Sequence, residues 1–540
     1  MATQWNTFPI EFRGGLISNL SALQQGSNAV GSATILQNFE ANKEGGYSKI
    51  RGFEKFSTST VPGSGPILGL KVISSGRYVV ARHNASYNTV YYYGTGTTWQ
   101  TMANNTSTLT NGGKVRHVEF NFDGDDKVIF VDGVNYPAVY NTSGNTIFFM
   151  NQTDHSPDIS GALHVTIFKN TAFYAVGSDL IFTAPNTVDD FSVANGAGTI
   201  NVGYDITGMA VFREQLIVFT NSSIKKITGS TSADFLMSPI TDSIGCIDGD
   251  TIQEVGGDIM YLAPDGIRLL SATDRIGDFA LDVASDRIFK DASTFLSSGS
   301  IYSSCVIREK AQYRIFSYIS SEQKDVARGL IATKFITQGS QGIQWSTTKG
   351  IKAYVADSRY FSNQEIVAFA NDDGYVYTMG TGNSFDGSNI EAIYESPYMP
   401  IADPQIRKTF YKMTLYTEPT GNMQLDLNLK FDFDSPNNRS TIQPNTLVIG
   451  STNVGVFEYG AANANMGQAD PNDSTQVDTS WAGYDPNTVY ATYGGEIDKV
   501  YNKNVIGSGK TIAIRIEDST TNPTYTLDTA ILEFTQEDRQ

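Results

Sequence analysis

A strand–turn–strand unit recurs through the middle of this chain and constrains its fold more than any other feature. The segments "RYVVARHNASYNTVYYYG" (77–94) and "KVIFVDGVNYPAVYN" (127–141) are two copies, and five more begin at Thr171, Gln215, Asp258, Gln312 and Glu365. Each pairs two apolar or alternating runs across Asp-Gly, Gly-Ser or Asn-Ser, residues that accept the tight bend of a hairpin. The starts lie roughly 43 to 54 residues apart, a spacing that suits a four-stranded propeller blade. The other two strands of each blade are expected from the connecting segments, such as "HVTIF" (164–168) and "GMAVF" (208–212). Seven hairpins predict about seven blades, within a range of six to eight. The alternative, a run of sandwich hairpins, does not require such regular spacing.

Composition points the same way. The chain carries 50 Gly, 28 Tyr and 30 Phe but only 17 % charged residues, which is the chemistry of strands and tight turns rather than helices. The fold class is therefore mostly β. One helix is expected, in "DVASDRIFKDASTFLSS" (282–298), where Val283, Ile288, Phe289 and Phe295 fall on roughly one face.

Three regions are expected. Residues 1–60 are polar, extended and glycine-bounded, an arm that docks on another element or subunit. The β-propeller spans 61–405. Longer alternating strands at 412–417, 423–433, 511–518 and 529–535 suggest a β-sandwich-like domain over 406–540, with a Gly/Asn/Asp-rich loop near 459–486.

The net charge of −18 opposes simple attachment to nucleic acid or to anionic membranes. No run approaches the ~18 apolar residues of a membrane helix, so no membrane insertion is expected. The opening "MATQWNTFPIEFRGG" lacks the pattern of a secretory signal. Cys246 and Cys305 read as buried, reduced thiols.

The chemical motifs are incomplete. "GSGKT" (507–511) resembles the end of a phosphate-binding loop, but Asn504 stands where that motif needs glycine, and a strand follows instead of a helix. His83, His117, His155 and His164 show no zinc-ligand spacing. The acidic turns "NFDGDD" (121–126) and "NDDG" (371–374) lack the carboxylate spacing of a calcium loop. "GTGTTW" (94–99) and "GIQW" (342–345) are fragments of the turn expected in a sialidase-like propeller, without its Asp. No catalytic, cofactor or metal residue is expected, and the chain reads as a non-enzyme.

Several segments together resemble the tail nozzle, or tail tubular, proteins of short-tailed bacteriophages. "FRGGLISNLSALQQGSNAVGSATILQNFEANKEGGYSKIRGFEKF" (12–56) is similar to their N-terminal signature. In 208–278 the pieces "SADF", "IGC", "DTIQEVGGDI" and "PDGIR" follow in the same order as in that family, and "DPQIRKTFYKMTLYTE" (403–418) resembles its entry into the C-terminal domain. The resemblance implies a virion protein, made in the host cytoplasm, whose copies, typically six, form a ring below the portal and its adaptor. It implies contacts with the adaptor on one side and distal tail or fibre proteins on the other, and a channel that retains and conducts the genome without binding it specifically. The acidic balance suits such a conduit, with part of the excess expected to line the channel. Arg407 and Lys408, at the expected domain junction, are candidate contacts with a neighbouring subunit. The alternatives are a virion propeller that binds a host receptor or glycan, and a glycan-degrading tail propeller.

Overall fold

The computed structural model describes residues 5–19, 30–86, 88–94, 96–104, 112–122, 124–150, 158–271, 283–299, 301–337, 340–421, 423–434, 445–449, 457–458, 492–493 and 499–536. The expected loop near 459–486 lies outside them.

Six of the seven hairpins read from the sequence become the two middle strands of a four-stranded sector, and the fifth becomes the last two strands of three. The first blade orders Ser64–Val72, Tyr78–His83, Thr89–Gly94 and Trp99–Thr101 as an antiparallel sheet. The second begins with Arg116–Phe122, the third with His164–Phe168 and the fourth with Ile206–Phe212, each leading a sheet of four. The fifth has three strands, Gln253–Val255, Asp258–Ala263 and Gly266–Leu269. The seventh takes Val355–Phe361, Gln364–Ala370 and Val376–Met379 from its own segment and its outermost strand, Phe53–Lys55, from the arm. These six are sheets of their own. The remaining sector is filled by Ile301–Ile307, Gln312–Tyr318, Arg328–Thr337 and Ser340–Lys349, the first four strands of a nine-stranded sheet. Leading strands of successive blades lie side by side, with the turn Gly249–Thr251 standing in at the fifth, and the seventh blade's leading strand packs on the first blade's. The protein is thus a mostly β chain built on a β-propeller.

Alternation explains the packing. The middle strand Tyr78–His83 is buried at every position, and Asp258–Ala263 and Gln312–Tyr318 likewise, because both faces of an inner blade strand meet a neighbouring blade. The cores form between blades: Ile129, Val139 and Tyr174 pack between the second and third, and Phe173, Leu180 and Val218 between the third and fourth.

The expected boundaries at 60 and 405 do not coincide with breaks in hydrogen bonding. Strands Lys408–Pro419, Val500–Gly509 and Tyr525–Gln536 join one sheet with Phe39–Ala41, Tyr47–Lys49 and Asn6–Glu11 of the arm. Strands Ile390–Glu395, Ile512–Thr520, Met423–Phe431 and Asn445–Ile449 extend the nine-stranded sheet, joined to the sixth blade through Ile35–Gln37. Residues 406–540 are therefore not a self-contained sandwich. The two sheets share one apolar core, with Met413, Leu415 and Leu532 from one, Leu427, Ile514 and Ile516 from the other, and Leu16, Phe39, Trp345 and Tyr394 beside them. The arm turns through Gly31 at φ +85°, where an added Cβ would lie 1.8 Å from the Glu11 carbonyl oxygen, so only glycine fits.

The expected helix forms over Phe289–Ser298 after a single 3-10 turn at Asp286–Ile288. Ile288, Ala292 and Phe295 are buried, but Phe289 is exposed: at the start of the helix it falls one residue off that i, i+4, i+7 face.

Two buried ion clusters hold the junction. Lys49 donates to Asp518 at 2.8 Å with both side chains fully buried, and also to the Thr520 carbonyl at 3.1 Å. Glu40 accepts from Arg314 at 2.7 Å and from Lys310; burial alone would raise its carboxyl, but the two cations outweigh burial and hold it below the usual range. Lys49→Met, which strands the Asp518 carboxylate, is expected to destabilise the junction by about 3–5 kcal/mol. Lys49→Met with Asp518→Leu should recover most of that loss, read by denaturant unfolding followed through the fluorescence of buried Trp345.

Candidate functional site

The leading strands of the blades converge on the propeller axis, and side chains from them and from the turn Gly249–Thr251 form a charged cluster there. Its centre is Asp250, on the turn Gly249–Thr251, which Asp248 caps by accepting the Asp250 amide at 2.9 Å. Arg116, opening the second blade's leading strand, grips Asp250 with two nitrogens at 2.7 and 3.0 Å, and Lys114 donates to it at 2.9 Å. Arg116 also approaches Asp248 at 3.7 Å. Ser304 of the sixth blade donates to the Asp250 carbonyl at 2.6 Å, and Tyr313 to the Thr251 carbonyl at 2.8 Å. On the other side Lys71 pairs with Asp357 at 3.4 Å, and Asp357 accepts the Val72 amide at 2.8 Å.

Burial and charge sort these groups. For Asp250 burial would raise the carboxyl, yet the Lys114 and Arg116 cations hold it well below the carboxylate range. Asp248 moves the other way, raised by burial and by the Asp250 charge beside it. His164, 8 % exposed, is pushed down to about 3 by burial and then by Arg116. His117 is lowered by burial and by Lys71. Its Nε2–H donates to the Leu70 carbonyl at 2.7 Å, which leaves Nδ1 as an acceptor without a partner. The His164 ring packs so closely on the turn that a Cβ at Gly249 would lie 2.5 Å from its Cε1.

A cavity of about 200 Å³ opens among these residues, lined by His117, His164, Asp250, Gln253 and Asp357 together with Leu70, Val165, Met209 and Val355. Its ionised groups are paired with one another, so the cluster acts as a lock between blades. Among the described residues no group of three or more His, Cys, Asp or Glu is placed to hold a metal ion.

The other residues singled out from the sequence lie elsewhere. Lys408 is fully buried, donating to the Lys510 carbonyl at 3.1 Å and the Asp403 carbonyl at 2.5 Å, so its charge closes a turn and does not face a neighbour. This corrects its expected role as a subunit contact. Arg407 remains partly exposed, 3.1 Å from the Ser508 hydroxyl and 3.9 Å from Asp432. In "GSGKT" the Lys510 and Thr511 amides donate to Asp432 at 2.7 and 3.1 Å, so a protein carboxylate takes the place a phosphate would need. Cys246 and Cys305 are buried free thiols, each pushed up to about 12 by burial. His155 lies outside the described residues, and His83 sits in the first blade. His117 and His164 do meet at the axis. Each lies at or near the start of a leading strand, one blade repeat apart, a periodicity that zinc-motif spacing does not capture.

No family model matches this chain, and no curated protein matches it. Among solved structures it is similar to the extracellular domain of a putative hybrid two-component system from B. thetaiotaomicron, at 11 % identity and a TM-score of 0.35, covering 60 % of this chain and 40 % of that one. It is also similar to Raptor from Chaetomium thermophilum, at 9 % identity and TM-score 0.36, covering 65 % and 29 %. A putative one-component system's extracellular domain from B. thetaiotaomicron gives 9 % identity and TM-score 0.38, covering 75 % and 48 %. The chain spans less than half of each of those structures.

The axial His164 makes a testable contribution to stability. Its unperturbed value is 6.5 and its folded value about 3, so between those limits the unfolded chain binds a proton that the folded chain refuses. Its contribution is complete above about pH 6.5 and is lost as pH falls toward about 3. His164→Phe is expected to flatten that acid limb in denaturant unfolding measured across the window. An unchanged slope contradicts the assignment.

Proposed function

We propose that this protein is a ring-forming structural component of a bacteriophage tail, a nozzle below the portal and adaptor through which the genome leaves. The observation that carries the reading is the distributed resemblance over 12–56, 208–278 and 403–418. Two of those segments meet in the fold: the arm and the entry strand Lys408–Pro419 belong to one sheet, and the arm also completes the seventh blade. The third builds the fourth and fifth blades. The resemblance therefore covers both the propeller and the parts that tie it to the terminal sheets.

Two physical features support the reading. A propeller fused through a continuous sheet to a second layer is a stiff wedge, the shape a closed ring needs. The charge of −18 keeps a channel wall from gripping DNA. On this reading the channel runs between copies, because the propeller's own axis is occupied by the Asp250 cluster. The partners are other copies of the chain, six in the ring as the family resemblance implies, the adaptor above and distal tail or fibre proteins below.

Electron-microscope imaging of the purified protein, alone and mixed with portal–adaptor complexes, tests this. The expected result is rings of wedge-shaped subunits around a central hole, capping the adaptor. Discrete monomers or trimers that ignore the adaptor overturn the reading and favour a receptor- or glycan-binding propeller.

A further inference from the structure

The axial cavity presents unused hydrogen-bonding groups beside charges that are already satisfied. Lys71, Lys114 and Arg116 are balanced by Asp248, Asp250 and Asp357. An ionic ligand entering here would have to break one of those pairs and leave its partner buried and uncompensated, at a cost of several kcal/mol. The imidazoles are different. The Nδ1 acceptor of His117 is buried with no hydrogen-bond partner among the described residues, and His164, nine-tenths buried, lines the same cavity. Buried polar groups without partners are uncommon in folded proteins and point to a molecule that meets them. Leu70, Val165, Met209 and Val355 also line the cavity.

We propose that this cavity binds a small neutral polyhydroxylated molecule, of the class and size of a monosaccharide, through His117 and His164. A sugar ring offers hydroxyls that both donate and accept to two imidazoles, and its C–H groups meet the aliphatic side chains among the otherwise polar lining. A cavity of about 200 Å³ has room for one ring and not for an extended chain. The inference stands on the axis alone and does not depend on ring assembly.

Ligand-observed saturation-transfer NMR on the full chain tests it, with glucose, galactose and N-acetylglucosamine as probes and inorganic phosphate as the ionic comparison. The expected result is transfer to the ring C–H protons of at least one sugar, weakened tenfold or more in both His164→Phe and His117→Phe, with the phosphate ³¹P linewidth unchanged. No transfer to any of the sugars, transfer that both variants retain, or phosphate broadening that depends on His164 overturns it. Should the variants fail to fold, sugar density between His117 and His164 in the wild-type protein supports the proposal, and water alone at that position contradicts it.

Discussion

Three residues, Ile35–Gln37, carry the hydrogen bonding on which the rest of the architecture depends. Gln37 meets Thr347 of the sixth blade in parallel register, and Ile35–Gln37 pairs antiparallel with Ile393, Tyr394 and Glu395. Without this short strand the sixth blade would end at Ser340–Lys349 with an open edge, and the terminal strands would form a second body. With it, one sheet runs from the sixth blade to the terminal strands Ile512–Thr520, Met423–Phe431 and Asn445–Ile449. The backbone groups that would otherwise need water are paired, and the apolar faces on either side close over a common core.

The same arm stabilises the ring topology. Phe53–Lys55 supplies the outermost strand of the seventh blade, so residues from near one end of the sequence are paired with residues more than three hundred positions later. Such closure costs chain entropy once and is then protected by every blade contact around the circle. The buried ion clusters sit where this assembly needs specificity: Lys49 with Asp518 and Glu40 with Arg314 at the junction, Asp250 with Arg116 and Lys114 at the axis. Apolar surfaces drive these layers together, while paired charges penalise any register that separates them.

The blades were legible because their signal is local. A hairpin such as Asp258–Leu269 declares itself through two apolar runs across an Asp-Gly bend, and all seven became antiparallel strand pairs of blades. The leading strands at 164–168 and 208–212 were legible for the same reason. What escaped is non-local. Nothing in "ILQ" at 35–37 announces that it bridges two parts of the chain, and the long C-terminal strands alternate like those of an independent sandwich because both of their sheets bury one face. Lys408 was expected to contact a neighbouring subunit; only its enclosure by the carbonyls of Asp403 and Lys510 shows otherwise. His117 and His164 were set aside for lack of a metal motif, since their meeting requires the leading strands of two successive blades to pack side by side.

The central structural claim is that propeller and terminal sheets form one cooperative unit through the nine-stranded sheet. Hydrogen exchange resolved by residue tests it most directly. The account predicts that amides in Ile390–Glu395 and Ile512–Thr520 open with the same free energy as those in Gln312–Tyr318, and that all three are lowered together by Lys49→Met. Early, independent exchange of the terminal strands, with the blade amides still protected, would contradict it.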